Sequence, residues 1–237
     1  MKLSKIALAV FATTGFGIAS AQSTSTVDLF GASQIQAGAL NSQTANIGDA
    51  SGSGQSHVVA HAVSQVQAGA LNSQQLNLGN ASGSGQSNVV ATGTSQIQAG
   101  ALNSQTMNLG NASGSGNSNV IATVTSQTQA GALNSQTMNL ANASGSGESK
   151  VIATGILQNQ AGALNSQSMN LGNASGSGKS IVVATGILQN QAGALNSQSM
   201  NLGNASGSGT SGVVATGIEQ TQAGALNSQT MNVGNAH

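Results

Sequence analysis

Two alternations of apolar and polar positions recur along the chain. From Ile152, every second residue reads Ile152, Thr154, Ile156, Gln158, Gln160, and the opposite parity reads Val151, Ala153, Gly155, Leu157, Asn159. Strand side chains point alternately to the two faces of a sheet. Equivalent stretches show which set is constant. Gln34, Gln65, Gln96, Gln127, Gln158, Gln189 and Gln220 are all glutamine, whereas the place of Leu157 is also taken by Ser64, Ser95, Ser126, Leu188 and Glu219. This constancy predicts a strand with the first set inward and the second outward, so Thr154 and its equivalents are expected inside. The β-branched pair Val151-Ile152 and Gly155 argue against a helix. After Gly162, a second alternation sets Asn165, Gln167, Met169, Leu171 and Asn173 against the small polar Ser166, Ser168, Asn170 and Gly172. Each unit therefore predicts a strand, an arc at G-x-x-N, a second strand and a glycine-serine turn at SGSG.

The unit repeats every 31 residues. The string QAGALN begins at Gln36, Gln67, Gln98, Gln129, Gln160, Gln191 and Gln222. Its arc glycines are Gly38, Gly69, Gly100, Gly131, Gly162, Gly193 and Gly224, and its asparagines are Asn41, Asn72, Asn103, Asn134, Asn165, Asn196 and Asn227. A fixed period of roughly 20–50 residues marks a solenoid, in which each unit buries its inner face on its neighbours. The expected fold is all-β: a β-solenoid of about seven stacked two-strand coils, parallel and cross-β in character. Two facing sheets ~10 Å apart, rising ~4.8 Å per coil, give a stack of roughly 34 Å.

Four apolar side chains per coil are expected inside, as in Ile152, Ile156, Met169 and Leu171, with Met107, Leu109, Met138, Leu140, Met200 and Leu202 as their counterparts. At ~1.5–3 kcal/mol per buried side chain this core is thin against the ordering cost of a whole coil. The balance must come from backbone ladders and from amides stacked like on like. A buried Gln or Asn is costly if unpaired, but the same residue at the same height one coil away supplies the partner, as in the Asn/Gln ladders of cross-β structures. Gln158, Gln160, Asn165, Gln167 and Asn173 are placed to do this.

Gln160-x-Gly162-x-x-Asn165, present in all seven units, resembles the Q-x-G-x-x-N core of the curlin repeat of bacterial curli fibre subunits. The likeness covers that hexad. Where curlin repeats carry an inward Ala and a later inward Gln after the Asn, this chain has Gln167, Met169 and Leu171, and its unit is longer. The resemblance implies a secreted β-solenoid subunit that assembles with itself into extracellular amyloid-like fibres. It also implies an outer-membrane export pore and a nucleator as partners.

The first 21 residues add an address. Lys2 and Lys5, an apolar stretch from Ile6 and Ala19-Ser20-Ala21 describe a secretory signal peptide, with cleavage expected before Gln22. Residues 22–26 then form a short lead-in and 27–237 the solenoid. No later segment is apolar enough to span a bilayer, so a secreted, cell-surface location is expected. The first unit departs from the others, with Val27-Asp28-Leu29-Phe30-Gly31 placing Asp28 and Phe30 at expected inward positions, Asp49 replacing an Asn, and His61 in the next unit replacing a Thr. The last unit stays close to the others through Met231-Asn232-Val233, which suggests an open C-terminal edge that receives the next molecule.

Composition narrows the chemistry. Of 237 residues only 3% are charged, with no Cys, Pro, Trp or Tyr. Nucleic-acid binding lacks the clustered cations and stacking aromatics it needs, and a disulfide framework is excluded. Low charge suits ladders, because an ionised residue would sit beside its own copy. Gly176-Ser177-Gly178-Lys179-Ser180 resembles the end of a P-loop, but the leading glycine is Asn173 and Lys179 is Gln, Asn, Glu or Thr in other units, so a turn variant is the better reading. His57 and His61 lack further ligands in sequence. Asn80, Asn111, Asn142, Asn173 and Asn204 match glycosylation sequons but also fit the entry to a turn. Asp28, Asp49, Glu148 and Glu219 form no catalytic pair. No cofactor, metal or catalytic residue is expected, and an enzyme is the last reading.

The leading reading is a structural fibre subunit of a biofilm or surface matrix. A monomeric binding module, ice-binding or adhesin-like, is the alternative. It draws on the column Thr92, Thr123, Thr154, Thr185, Thr216, although the inward register assigned to that column and Ile156, Ile187 and Ile218 in place of Thr94 and Thr125 disfavour it. A disordered low-complexity polymer is the third.

Overall fold

The computed structural model describes residues 24–37, 42–48, 55–69 and, from 71 to 235, all but 72, 84, 101, 114–116, 132, 146, 147, 163, 177 and 194. The signal-peptide segment lies outside the described residues, as do Gly38, Asn41, Asp49 and Asn72. The described residues form 18 β-strands and no helix. They build a β-solenoid of parallel strands in stacked coils. Seven rungs share two sheets, one running from Thr24–Phe30 to Thr210–Ala223 and the other from Gln43–Ile47 to Ser228–Val233.

Every strand pairs with its equivalent one period away. Val151 lies opposite Val182, Gln158 opposite Gln189, and Met169 opposite Met200. In the first sheet, rungs three to seven carry one strand of 14 residues each, such as Glu148–Ala161. In rungs one and two that strand is split, into Thr24–Phe30 with Ser33–Ala37 and Gln55–His61 with Ser64–Ala68. The second sheet uses short strands such as Ser166–Leu171. Two three-residue strands, Ala143–Gly145 and Ala174–Gly176, pair within the glycine-serine turns.

The long strand does not alternate uniformly, and this corrects the expected register. Ser149, Val151 and Ala153 point inward, Thr154 and Gly155 are both exposed, and Ile156, Gln158 and Gln160 are again buried. The phase reverses at a left-handed residue, Gly155, with φ of 66°. Gly31, Ala62, Gly93, Val124, Gly186 and Gly217 share that conformation in their rungs. Ile152 therefore sits half-buried on the outer face, and the inward places before the kink belong to Val151 and Ala153. Asp28 and Phe30 also face outward. Phe30 is largely exposed and stacks on His61 with ring centroids 4.9 Å apart, while Val27 and Leu29 take the inner places.

Rungs five and six thus bring five apolar side chains inside, as in Val151, Ala153, Ile156, Met169 and Leu171, whereas rungs three and four have Thr94 and Thr125 in the place of Ile156. Met107, Leu109, Met138, Leu140, Met200 and Leu202 are fully buried in the same columns. Glycine is obligatory at the arc. Gly162 has φ of 124°, and a Cβ there would lie 1.6 Å from the carbonyl oxygen of Gly131 in the rung before. Stacked backbones approach too closely for any side chain.

Candidate functional site

The buried polar columns between the sheets are the candidate functional feature. The first runs through the glutamine just after the kink. Gln65 Nε2 donates to Gln34 Oε1 at 2.7 Å, Gln96 to Gln65 at 2.8 Å, Gln127 to Gln96 at 2.8 Å, Gln158 to Gln127 at 2.7 Å, Gln189 to Gln158 at 2.6 Å and Gln220 to Gln189 at 2.7 Å. A second runs two residues later, from Gln98 to Gln67 at 3.1 Å, Gln129 to Gln98 at 3.0 Å, Gln160 to Gln129 at 2.9 Å, Gln191 to Gln160 at 2.8 Å and Gln222 to Gln191 at 2.8 Å. The Gln36 side chain lies outside the described residues. On the facing sheet, Gln105, Gln136, Gln167, Gln198 and Gln229 each donate to the glutamine one rung earlier, beginning with Gln74, at 2.8–3.0 Å.

Several of these amides also use their second N–H. Gln127 reaches the carbonyl of Thr137 at 3.1 Å, and Gln167 reaches that of Asn190 at 3.2 Å, so the ladders bridge the two sheets. A satisfied, repeating network of this kind is favourable where an isolated buried amide would not be.

The arc asparagines act differently. Asn165 Nδ2 donates to the carbonyls of Gly162 and of Ala192, both at 2.8 Å, and to Asn196 Oδ1 at 3.2 Å. Asn103, Asn134 and Asn196 repeat the two carbonyl contacts, and Asn227 keeps the one to Gly224 at 3.0 Å. These residues clamp the arc to the next rung more than they stack on one another. Asn173 also departs from its expected role, because its Oδ1 accepts the backbone N–H of Asn204 rather than a side-chain amide.

Two columns escaped the sequence reading. Ser56, Ser87, Ser118, Ser149, Ser180 and Ser211 turn inward, and their hydroxyls donate to the carbonyls of Gly48, Gly79, Gly110, Ala141, Gly172 and Gly203. They tie the entry of each long strand to the end of the preceding short one. Asn108, Asn139, Asn170, Asn201 and Asn232 form an outer amide ladder at 2.8–2.9 Å on the face assigned to small polar residues. The signal for both was constancy at a 31-residue interval, irrespective of predicted face.

The ionisable groups do not converge. Lys179 lies 3.8 Å from Glu148, its ladder partner at the start of the neighbouring long strand, as an exposed pair. Among the described residues no group of three His, Asp or Glu could hold a metal ion. A shallow groove of about 230 Å³ is lined by Gln86, Asn88, Asn117, Asn119, Glu148 and Lys150, and its two serines, Ser87 and Ser118, spend their hydroxyls on the carbonyls of Gly79 and Gly110.

The ladders have a direction. In all three glutamine columns the nitrogen points toward the lower-numbered rung and the oxygen toward the higher. One side of a rung therefore offers donors and the other acceptors, and two rungs match only when stacked in parallel with the same sense. No protein-family model, curated protein or solved structure matches this chain.

Proposed function

We propose that this protein is an extracellular structural subunit that assembles end to end into amyloid-like fibres of a bacterial biofilm or surface matrix. One observation carries this reading: the in-register glutamine ladders, in which every rung presents the same amides at the same height. The interaction joining rung six to rung seven is the interaction a rung of a second molecule would make. Rung seven keeps the core and ladder residues of the rungs before it, Ile218, Gln220, Gln222, Gln229 and Met231, and its one acidic residue, Glu219, is exposed on the outer face. The signal-like leader and the curlin-like hexads fit the same role, with an export pore and a nucleator as partners. Electron microscopy and fibre diffraction of the chain after leader removal test it. Unbranched filaments with a ~4.7 Å meridional reflection are expected, and a persistently monomeric chain defeats it.

A specific observation favours a second reading. The kink turns Thr92, Thr123, Thr154, Thr185 and Thr216 outward in one column, beside the column Val90, Ile121, Ile152, Val183 and Val214. Thr94 and Thr125 lie in the interior, so their replacement by Ile does not interrupt this face. A regular, in-register, uncharged array suits a monomeric binding module of the ice-binding type. Freezing-point hysteresis by a stable monomer would establish it over the fibre.

A further inference from the structure

The arcs carry a feature that the ladders do not use. Leu71, Leu102, Leu133, Leu164, Leu195 and Leu226 all adopt the left-handed backbone region, with φ between 59° and 63°. Each leaves its side chain at least 43% exposed. Glycine or asparagine takes that backbone more easily than leucine, yet all seven QAGALN hexads keep leucine. A strained residue retained at every rung while half in water points to a role for its side chain outside the coil. Stacked one rung apart, the leucines form an apolar ridge along one edge of the solenoid. The hexads contain no charged residue, so nothing repels the same ridge on another copy.

We infer that this ridge is the lateral contact between filaments, each ridge packing against that of a second copy. The inference rests on the fibre reading and deepens it. Area decides when the contact forms. A leucine about half exposed offers on the order of 50 Å² of apolar surface, so six leucines give roughly 300 Å², against the ~800 Å² per partner of a stable interface. Single molecules do not pair by this ridge. Three molecules stacked end to end bring the ridge to that size, and longer filaments gain by multivalency. Another copy presents the same leucine at the same rung spacing, so leucines of two ridges can interdigitate along their full length. Lateral bundling therefore follows polymerisation.

The test uses the chain carrying L102N, L133N, L164N and L195N together, since asparagine is polar and accepts the left-handed backbone. Filaments with an unchanged ~4.7 Å reflection are expected, dispersed singly, with low-speed sedimentation reduced several-fold relative to the wild type. Variant filaments that bundle like the wild type overturn the inference, and so does loss of filaments in the variant alone, which would make the leucines part of coil folding. A second arm uses Leu133→Cys in this cysteine-free chain. Equivalent positions in one filament lie ~34 Å apart, whereas a disulfide needs Cα atoms within about 7 Å, so an oxidised dimer reports lateral contact alone. Its formation in filaments, and not in dilute monomer, is the expected result. If the wild type makes no filaments, the fibre reading falls and the ridge inference falls with it; filaments that form without this dimer overturn the ridge alone.

Discussion

Gln189 Nε2 lies 2.6 Å from Gln158 Oε1, with both side chains excluded from solvent. The two residues are 31 positions apart and chemically identical, so each stands as the environment of the other. A substitution in such a column is felt twice, once toward the rung below and once toward the rung above.

Gln158→Glu tests that coupling. A carboxylate can still accept from Gln189 but cannot donate to Gln127, and as an anion it would be buried in a dry column. Burial raises the acid's folded-state pKa above its unfolded value near ~4.3. Stability is then retained below that value and lost as pH rises through the raised one. The variant should fold and assemble at acid pH and lose several kcal/mol, on the order of 3–5, at neutral pH. Circular dichroism and sedimentation across pH measure this, and pH-independent behaviour matching the wild type contradicts it.

Gly162→Ala should prevent the arc from closing, because the new Cβ would meet the Gly131 carbonyl oxygen. Backbone atoms cannot yield as a flexible side chain can, so a loss of more than about 3 kcal/mol is expected. Chemical denaturation of the variant gives the number, and a loss below about 1 kcal/mol would mean the arcs do not approach as described.

Val124→Gly should instead stabilise the protein. Val124 is a β-branched residue at φ of 53°, is mostly exposed, and occupies the kink position where five other rungs use glycine. Relief of the left-handed strain is worth about 1 kcal/mol, partly offset by the entropy of an added glycine. A raised denaturation midpoint is the expected result, and a lowered one would show that the valine side chain does more than tolerate its backbone.

This kink also marks where the sequence became hard to read. The 31-residue period, the G-x-x-N arc and the Gln158 and Gln160 columns were legible because identity recurs there and because buried amides accept few substitutes. The parity of Val151 to Thr154 was not, since one left-handed residue reverses every inward assignment before it. Ala62 and Val124 break the run of glycines at that position and hid it. Phe30 misled in the same way: an aromatic reads as core, yet just before the kink at Gly31 its place is on the outer face, where it stacks on His61. The inward Ser149 column was masked by its place beside the variable residues of the turn.

Thr94 and Thr125 offer a further test. Both hydroxyls are wholly buried without a hydrogen-bond partner, in a column that rungs five and six fill with Ile156 and Ile187. Replacing each by valine keeps the shape and removes an unsatisfied polar group, for a gain of about 1 kcal/mol per site. An unchanged or lower melting temperature in the double variant would mean that those hydroxyls are satisfied in solution.

The account stands most directly on the exchange of glutamine side-chain amide hydrogens, followed residue by residue by solid-state NMR in the assembled material. Gln96, Gln127, Gln158 and Gln189 should resist exchange while the exposed Gln75 and Gln86 exchange freely. Gln220 and Gln222, half-buried in the single molecule, should become as protected as Gln158 once a second copy covers them. Free exchange throughout the Gln158 column, or Gln220 and Gln222 left unprotected in the assembly, would contradict stacking through the amide ladders.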